Sequence, residues 1–194
     1  MTFQFKIQLK GITKPPVWRR VTIPRGYSFF DFHVVIQIAF GWLNEHMFQF
    51  SPQGYGTYPQ IKLKFDDDFD DRGFLYSGEI LDAEELKVEK IFDSEGQKFT
   101  YIYDFGDSWL HTIVLEKISP ERTMYPRILA GKGQCPPEDC GGAWGYEDLK
   151  EVLANPKSDD YQSVKEWLGQ EEWDAKSFNI EESRQLLTEV FLKQ

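Results

Sequence analysis

Residues 99–115 read FTYIYDFGDSWLHTIVL. Two runs rich in β-branched and aromatic residues flank Asp104, Phe105, Gly106, Asp107 and Ser108, a Gly-centred turn between aspartates. That composition reads as a β-hairpin. With Gly106 and Asp107 at the tip, Asp104 falls opposite Trp109 and Ile102 opposite His111. Side chains alternate along a strand, so this register places Asp104, Trp109 and His111 on one face. A carboxylate, an indole and an imidazole beside a hairpin tip make a candidate site without naming a reaction.

Outward from the hairpin, the first ten residues alternate strictly: Phe3, Phe5, Ile7 and Leu9 against Gln4, Lys6, Gln8 and Lys10. This is a half-buried strand. Pro15 and Pro16 force an extended link into a second strand over 17–23, which ends at the Pro24-Arg25-Gly26 turn. Ser28 with Asp31 is a variant capping box. Phe29, Phe32, Ile36, Ala39, Phe40 and Leu43 then follow helical spacing and predict a helix over 29–42. Short strands are expected over 47–50 and 61–65, and a short helix over 82–91, where Asp82 and Glu85 have capping spacing. The Gly-rich segment 131–145, holding Cys135 and Cys140, reads as an irregular loop. Helical segments at 146–154 and 160–168, and from Asn179 onward, close the chain. The pattern predicts an α+β fold, with a mainly antiparallel sheet packed against an early helix and a helical C-terminal third. Phe32, Ile36, Ala39 and Phe40 are expected to be buried.

A chain of 194 residues suits one domain with a sizeable core, so residues 1–194 are read as a single domain. Aromatic residues make up 16%, which points to an aromatic core and aromatic binding surfaces. The net charge of −10 disfavours a generic nucleic-acid binder, which needs a basic face to displace counterions. A local patch of Lys14, Arg19, Arg20 and Arg25 stays open. The alternating N-terminus lacks a signal-peptide core, and no run approaches a membrane span. Two cysteines make no disulfide framework. A cytoplasmic protein with reduced thiols and no membrane association is expected.

Motifs that carry chemistry are incomplete. Asp104-Phe105-Gly106 matches the kinase metal-binding triplet, but no other kinase element accompanies it. Gly131-Lys132-Gly133 lacks P-loop spacing, and there is no Gly-x-Ser-x-Gly elbow. Counted from Asp68, the acidic run gives Asp70, Gly73, Leu75 and Glu79 at calcium-loop positions. Arg72 occupies a ligand position, so a solvated loop is the better reading.

Cys135 and Cys140 have zinc-compatible spacing, and the turn between them carries Glu138 and Asp139. A closed zinc site would draw on Cys135, Cys140, His46 and His111; otherwise the cysteines pack. This loop is expected to turn toward the hairpin and cover Asp104 or His111. His33, inside the apolar helix, reads as a hydrogen-bonded core histidine. His46, His111 and Asp104 are the residues from which a general base or metal centre would be built. Trp18 reads as a core residue, and Arg19 as a stacking or anion-contacting group. The candidate polar cluster is therefore Asp104, Asp107, Trp109, His111, Glu138, Asp139, Arg19 and His46.

Several blocks occur in a recognisable order. They are PPVWRR at 15–20, AFGW at 39–42 with His46 beyond, YDFGDSWLH at 103–111, CPPEDCGG at 135–142, and WLG at 167–169 with Trp173, Asp174 and Phe178. Together they resemble the plasmid pRiA4b ORF-3-like family across nearly the whole chain. Phe32 stands where that family usually has Leu, and Trp173-Asp174-Ala175 replaces Phe-Asp-Pro. The resemblance implies an α+β fold and association with plasmids or mobile elements. It brings no established activity. The family's resolvase-type label would need a nucleophilic Ser amid several Arg, whereas Ser28 reads as a helix cap. The functional expectation is a non-catalytic module with an aromatic and acidic cleft near the hairpin tip for a protein or peptide partner. The alternatives are a metal-dependent hydrolase and a DNA-associated accessory protein.

Overall fold

The computed structural model describes residues 1–64, 78–169 and 173–192. The acidic run at 66–71, and the calcium-loop spacing with it, lies outside the described residues. The fold is α+β. Its strands are β1 (Thr2–Thr13), β2 (Pro16–Pro24), β3 (Phe48–Ser51), β4 (Gln60–Lys62), β5 (Ile80–Asp82), β6 (Lys98–Tyr103), β7 (Trp109–Ser119) and β8 (Arg127–Lys132). They form one sheet in the order β5-β4-β3-β6-β7-β1-β2-β8, antiparallel except for the β4–β5 pair. The helices are α1 (Phe29–Phe40), α2 (Gly142–Ala154), α3 (Tyr161–Leu168) and α4 (Ile180–Leu192).

Alternation in the strands becomes one buried sheet face. Phe3, Phe5, Ile7 and Leu9 of β1 are buried, and Ile7 pairs with Arg19 on one side and Ile113 on the other. Helix α1 covers this face and contacts α4 and β2. Phe29, Phe32, Ile36, Ala39 and Phe40 are all buried, as their spacing requires. The core is aromatic: Phe5 lies 4.7 Å from Phe32 and 4.9 Å from Phe92, and Phe29 lies 5.0 Å from Phe50. Such offset and edge-on pairs add stabilisation beyond the area they bury.

The capping box at the start of α1 is complete. Asp31 N–H donates to Ser28 Oγ (3.0 Å), and Ser28 N–H donates to Asp31 Oδ2 (2.7 Å). Ser28→Ala is expected to cost about 1 kcal/mol. Urea unfolding would show it as a lower midpoint at unchanged slope.

The hairpin register differs from the sequence expectation. Tyr103 pairs with Trp109 and Tyr101 with His111, leaving residues 104–108 as the loop. Asp104 and Ser108 both adopt left-handed backbone, at φ 53 and φ 60. The Asp104 carboxylate accepts from Gly106 N–H (2.8 Å), while Ser108 N–H closes onto the Asp104 carbonyl (2.7 Å). An Asp-centred turn thus sets the loop instead of a two-residue Gly tip. Trp109 and His111 share the buried face with Tyr101 and Tyr103, and Asp104 leaves the strand.

Three other expectations change. The helix over 82–91 reduces to β5, a turn and a 3-10 segment (Val88–Lys90). Asp82 does accept from Glu84 N–H, but the carbonyls of Ala83 and Leu86 are taken by Phe30 and Phe29 N–H at the start of α1. Those carbonyls are then unavailable to propagate a helix of their own. The loop at 131–145 shortens, because β8 runs to Lys132 and α2 starts at Gly142. Finally, Trp18 is half-exposed between Lys6 and Arg20, each 5.4 Å from its ring, whereas Arg19 points into the core. In β2 the buried parity belongs to Val17, Arg19, Val21 and Ile23.

Candidate functional site

Three connections meet at one end of the sheet: residues 41–47 after α1, the hairpin loop 104–108, and the loop 133–141. Side chain to backbone bonds staple them. Trp42 Nε1–H donates to the Pro136 carbonyl (3.0 Å), and Leu43 N–H donates to Glu138 Oε1 (2.9 Å). Tyr103 hydroxyl donates to the same Oε1 (2.8 Å) and accepts from Glu45 N–H (3.1 Å). Burial, and then this bond to Glu138, push the Tyr103 phenol up, so it remains a donor. On the other flank Gly141 N–H donates to Asp107 Oδ2 (3.1 Å). Gly142 sits at φ +68, and a Cβ there would lie 2.7 Å from the Asp107 carbonyl oxygen. Only glycine allows the loop this close to the hairpin.

The stapling gathers His46, Asp104, Glu138 and Asp139. His46 Nε2 lies 3.8 Å from Asp104 Oδ2, 3.8 Å from Glu138 Oε2 and 3.3 Å from Asp139 Oδ1. Ligand atoms of His46, Asp104 and Asp139 all fall within 4.8 Å of one another. Asp104 and Asp139 both have left-handed backbone, at φ 53 and φ 55. Such conformations concentrate at functional sites, although Asp tolerates them better than most residues.

The other expected residues lie elsewhere. His111 is fully buried among Phe40 (4.8 Å), Trp42 (5.2 Å) and Tyr101 (5.3 Å). Neither of its ring nitrogens makes a hydrogen bond of good geometry, and burial, opposed in part by the nearby Trp109 and Tyr101 backbone, pushes its pKa down to about 3. It is a neutral aromatic core residue, as is buried Trp109. His33 is the expected core histidine, with Nδ1 2.8 Å from Tyr101 hydroxyl and Nε2 2.6 Å from Asn44 Oδ1. Cys135 and Cys140 are free. Burial holds the Cys135 thiol well above its usual range, and burial followed by Asp107 pushes Cys140 up to about 12. Neither thiol offers a ready thiolate, and among the described residues neither joins a group of three metal-ligand atoms.

Beside the cluster lies a cleft of about 1000 Å³. Trp42, Glu138, Trp167, Trp173, Phe178 and Leu186 line it, and Glu138 belongs to both the cleft and the histidine cluster. The sequence points to a cleft near the hairpin tip, whereas the walls of this one come from the end of α1, the loop 133–141, α3 and α4. The available signal was exposed apolar side chains within polar segments: Leu43 is 70% exposed, Trp167 52% and Leu186 46%. Tyr103, which holds Glu138, was also missed, although it directly precedes the hairpin loop.

Comparison with known proteins fits this architecture. The profile of the plasmid pRiA4b ORF-3-like protein family matches residues 1–182. The chain belongs to that family. It is similar to the uncharacterized protein y4hQ of Sinorhizobium fredii, with 33% identity over 98% of this chain and 92% of that protein. It is also similar to a crystal structure of a protein of unknown function, MM3350, from Methanosarcina mazei Go1. The TM-score is 0.77 at 31% identity, over 93% of this chain and 96% of that one.

Family membership leaves the basic patch to be judged on its own geometry. Arg19 is buried, Arg20 forks onto both oxygens of Glu116 (2.6 and 2.9 Å), and Arg25 lies 3.5 Å from Glu89. Three of the four cations are thus buried or paired within the fold. Among the described residues no helix is long and apolar enough to cross a membrane.

Proposed function

We propose that this protein is a non-catalytic binding module that takes a peptide segment of a partner protein in the cleft beside Glu138. The observation that carries this reading is the gathering of Leu43, Trp167 and Leu186, all strongly exposed apolar side chains, around one concave surface. Exposed apolar groups clustered in a cleft mark interaction sites, whereas scattered ones do not. Glu182, exposed on the same lining, favours a peptide that joins an aliphatic or aromatic anchor to a Lys or Arg. Panning a random peptide library against the full chain is expected to enrich that combination. An enriched peptide should bind at least about tenfold more weakly to Leu186→Asp and Trp167→Ala, both at positions exposed enough to leave the unfolding midpoint in place. Failure to enrich any sequence, or equal binding to both variants, would sink this reading.

The second reading, a metal-dependent hydrolase, is favoured by the group of His46, Asp104 and Asp139. His111 and the two cysteines contribute nothing to it, so the residues left for such chemistry are one imidazole and three carboxylates.

A further inference from the structure

We infer that His46, Asp104 and Asp139, with Glu138 at their edge, form a binding site for one divalent transition-metal ion of the Zn²⁺ or Mn²⁺ class.

The separations are those of shared ligands and not of ordinary hydrogen bonds. An imidazole paired with a carboxylate sits at about 2.7–2.9 Å. Here Nε2 stands 3.3, 3.8 and 3.8 Å from three carboxylate oxygens and makes no hydrogen bond. Ligand atoms about 2.1 Å from one ion lie about 3–4 Å apart. The nitrogen and the Asp104 and Asp139 oxygens, all within 4.8 Å of one another, therefore stand at the spacing that a common ion imposes.

Each of the two buried carboxylates is anchored by one oxygen and presents the other. Asp104, whose side chain is only 8% exposed, spends Oδ1 on Gly106 N–H and has no hydrogen bond to Oδ2. Glu138 spends Oε1 on Tyr103 hydroxyl and Leu43 N–H, while its buried Oε2 has no partner. Both free oxygens face His46 Nε2. Buried polar atoms left unpaired cost about 1–3 kcal/mol each, and two of them, His46 Nε2 and Glu138 Oε2, face each other here beside the solvent-accessible oxygens of Asp104 and Asp139. Anchoring of the outer oxygen is also how proteins orient metal-binding carboxylates. Among the described residues no Lys or Arg pairs with Asp104, Glu138 or Asp139, so their negative charge is uncompensated.

The donor set selects the class of ion. One imidazole with two carboxylates suits Zn²⁺ or Mn²⁺ better than Ca²⁺ or Mg²⁺, which prefer oxygen alone. Asp139, with its side chain 69% exposed, lies at the solvent side, where water can complete the coordination. The site adjoins the cleft through Glu138, and its test uses no peptide, so its failure is distinguishable from failure of the peptide reading.

Chelator-treated full-length protein is titrated with ZnCl₂ and separately with MnCl₂, followed by calorimetry and, for manganese, by the loss of the free-ion resonance signal. One ion per chain is expected for the unaltered protein. His46→Gln and Asp104→Asn should each weaken binding at least about tenfold. Asp139→Asn, at an exposed position, should weaken it while leaving the metal-free unfolding midpoint in place, which separates ligand loss from misfolding. Glu166→Gln on α3 should bind as the unaltered protein does. No saturable binding up to millimolar ion, or equal affinity in all three cluster variants, would overturn the site.

Discussion

Acidification from pH 7 to pH 5 is expected to remove about 4 kcal/mol of stability through two buried histidines. His33 has its pKa lowered to about 4 and His111 to about 3, in both cases chiefly by burial. In the unfolded chain each returns to about 6.5. Between these values the unfolded state holds the extra proton, so stability falls as pH drops below about 6.5. The loss levels off only near pH 4 for His33 and pH 3 for His111. Each contributes about 2 kcal/mol between pH 7 and 5, against a total of about 5–15 kcal/mol for a typical domain. The Glu116 carboxyl, lowered by its bond to Arg20, acts in a separate window below its ordinary value of 4.5.

His111→Phe isolates one term. The phenyl ring enters a space already walled by Phe40, Trp42 and Tyr101, and it removes two nitrogens that make no hydrogen bond of good geometry. Stability at pH 7 should hold or rise, because replacing an unsatisfied polar group by an apolar one of similar shape is nearly neutral or favourable. The loss between pH 7 and 5 should shrink by about half. Urea midpoints at the two pH values measure both quantities, and an unchanged pH dependence would show that His111 does not titrate as argued. His33 is a poor second choice for this test, since its ring bonds both Tyr101 and Asn44.

Much of the fold is legible in the sequence because its signals are periodic and local. The alternation of Phe3, Phe5, Ile7 and Leu9 and the helical spacing from Phe29 to Phe40 each point one face inward, and the structure buries those faces. The hairpin was found but its register slipped, because the Asp104 carboxylate and a left-handed Ser108 set the loop length. At 82–91 local capping was real, but tertiary demand from the α1 N-terminus took the carbonyls. The site was legible only as residue types. Asp104 and Asp139 are far apart in sequence, and their meeting depends on Gly142 passing against Asp107 and on Glu138 reaching Tyr103. Neither event leaves a periodic trace.

Arg19 shows a different failure. Parity along β2 placed position 19 with Val17, Val21 and Ile23, yet an arginine there argues for solvent by its type alone. Its surroundings resolve the conflict. Nε–H donates to the Ala39 carbonyl (2.6 Å), Nη1 to those of Trp18 and Lys132 (2.9 Å each), and Nη2 to that of Gly133 (3.0 Å). The plane stacks on Phe178 at 3.6 Å, and a Cβ on Gly131 would lie 2.4 Å from the Phe178 ring. Glycine at 131 is what admits that stack.

One fork thus joins the end of α1, β2, the end of β8 and the start of the loop that carries Glu138. Burial lowers the Arg19 pKa to about 10, which still leaves it charged at neutral pH. Among the described residues no carboxylate pairs with it, so carbonyl dipoles and the faces of Phe178 and Phe40 offset the desolvation cost. Arg19→Met removes that cost but strands four carbonyls, at about 1–3 kcal/mol for each that water cannot reach. The stranded carbonyls outweigh the recovered desolvation, and a net loss of about 3–5 kcal/mol is expected. Arg19→Lys, with a point charge and no planar fork, should recover only a minor part. Hydrogen exchange would show the damage first in β8 and the loop 133–141, ahead of β6 and β7. A loss under about 1 kcal/mol for Arg19→Met would mean that the four bonds hold nothing the strand pairing does not already hold.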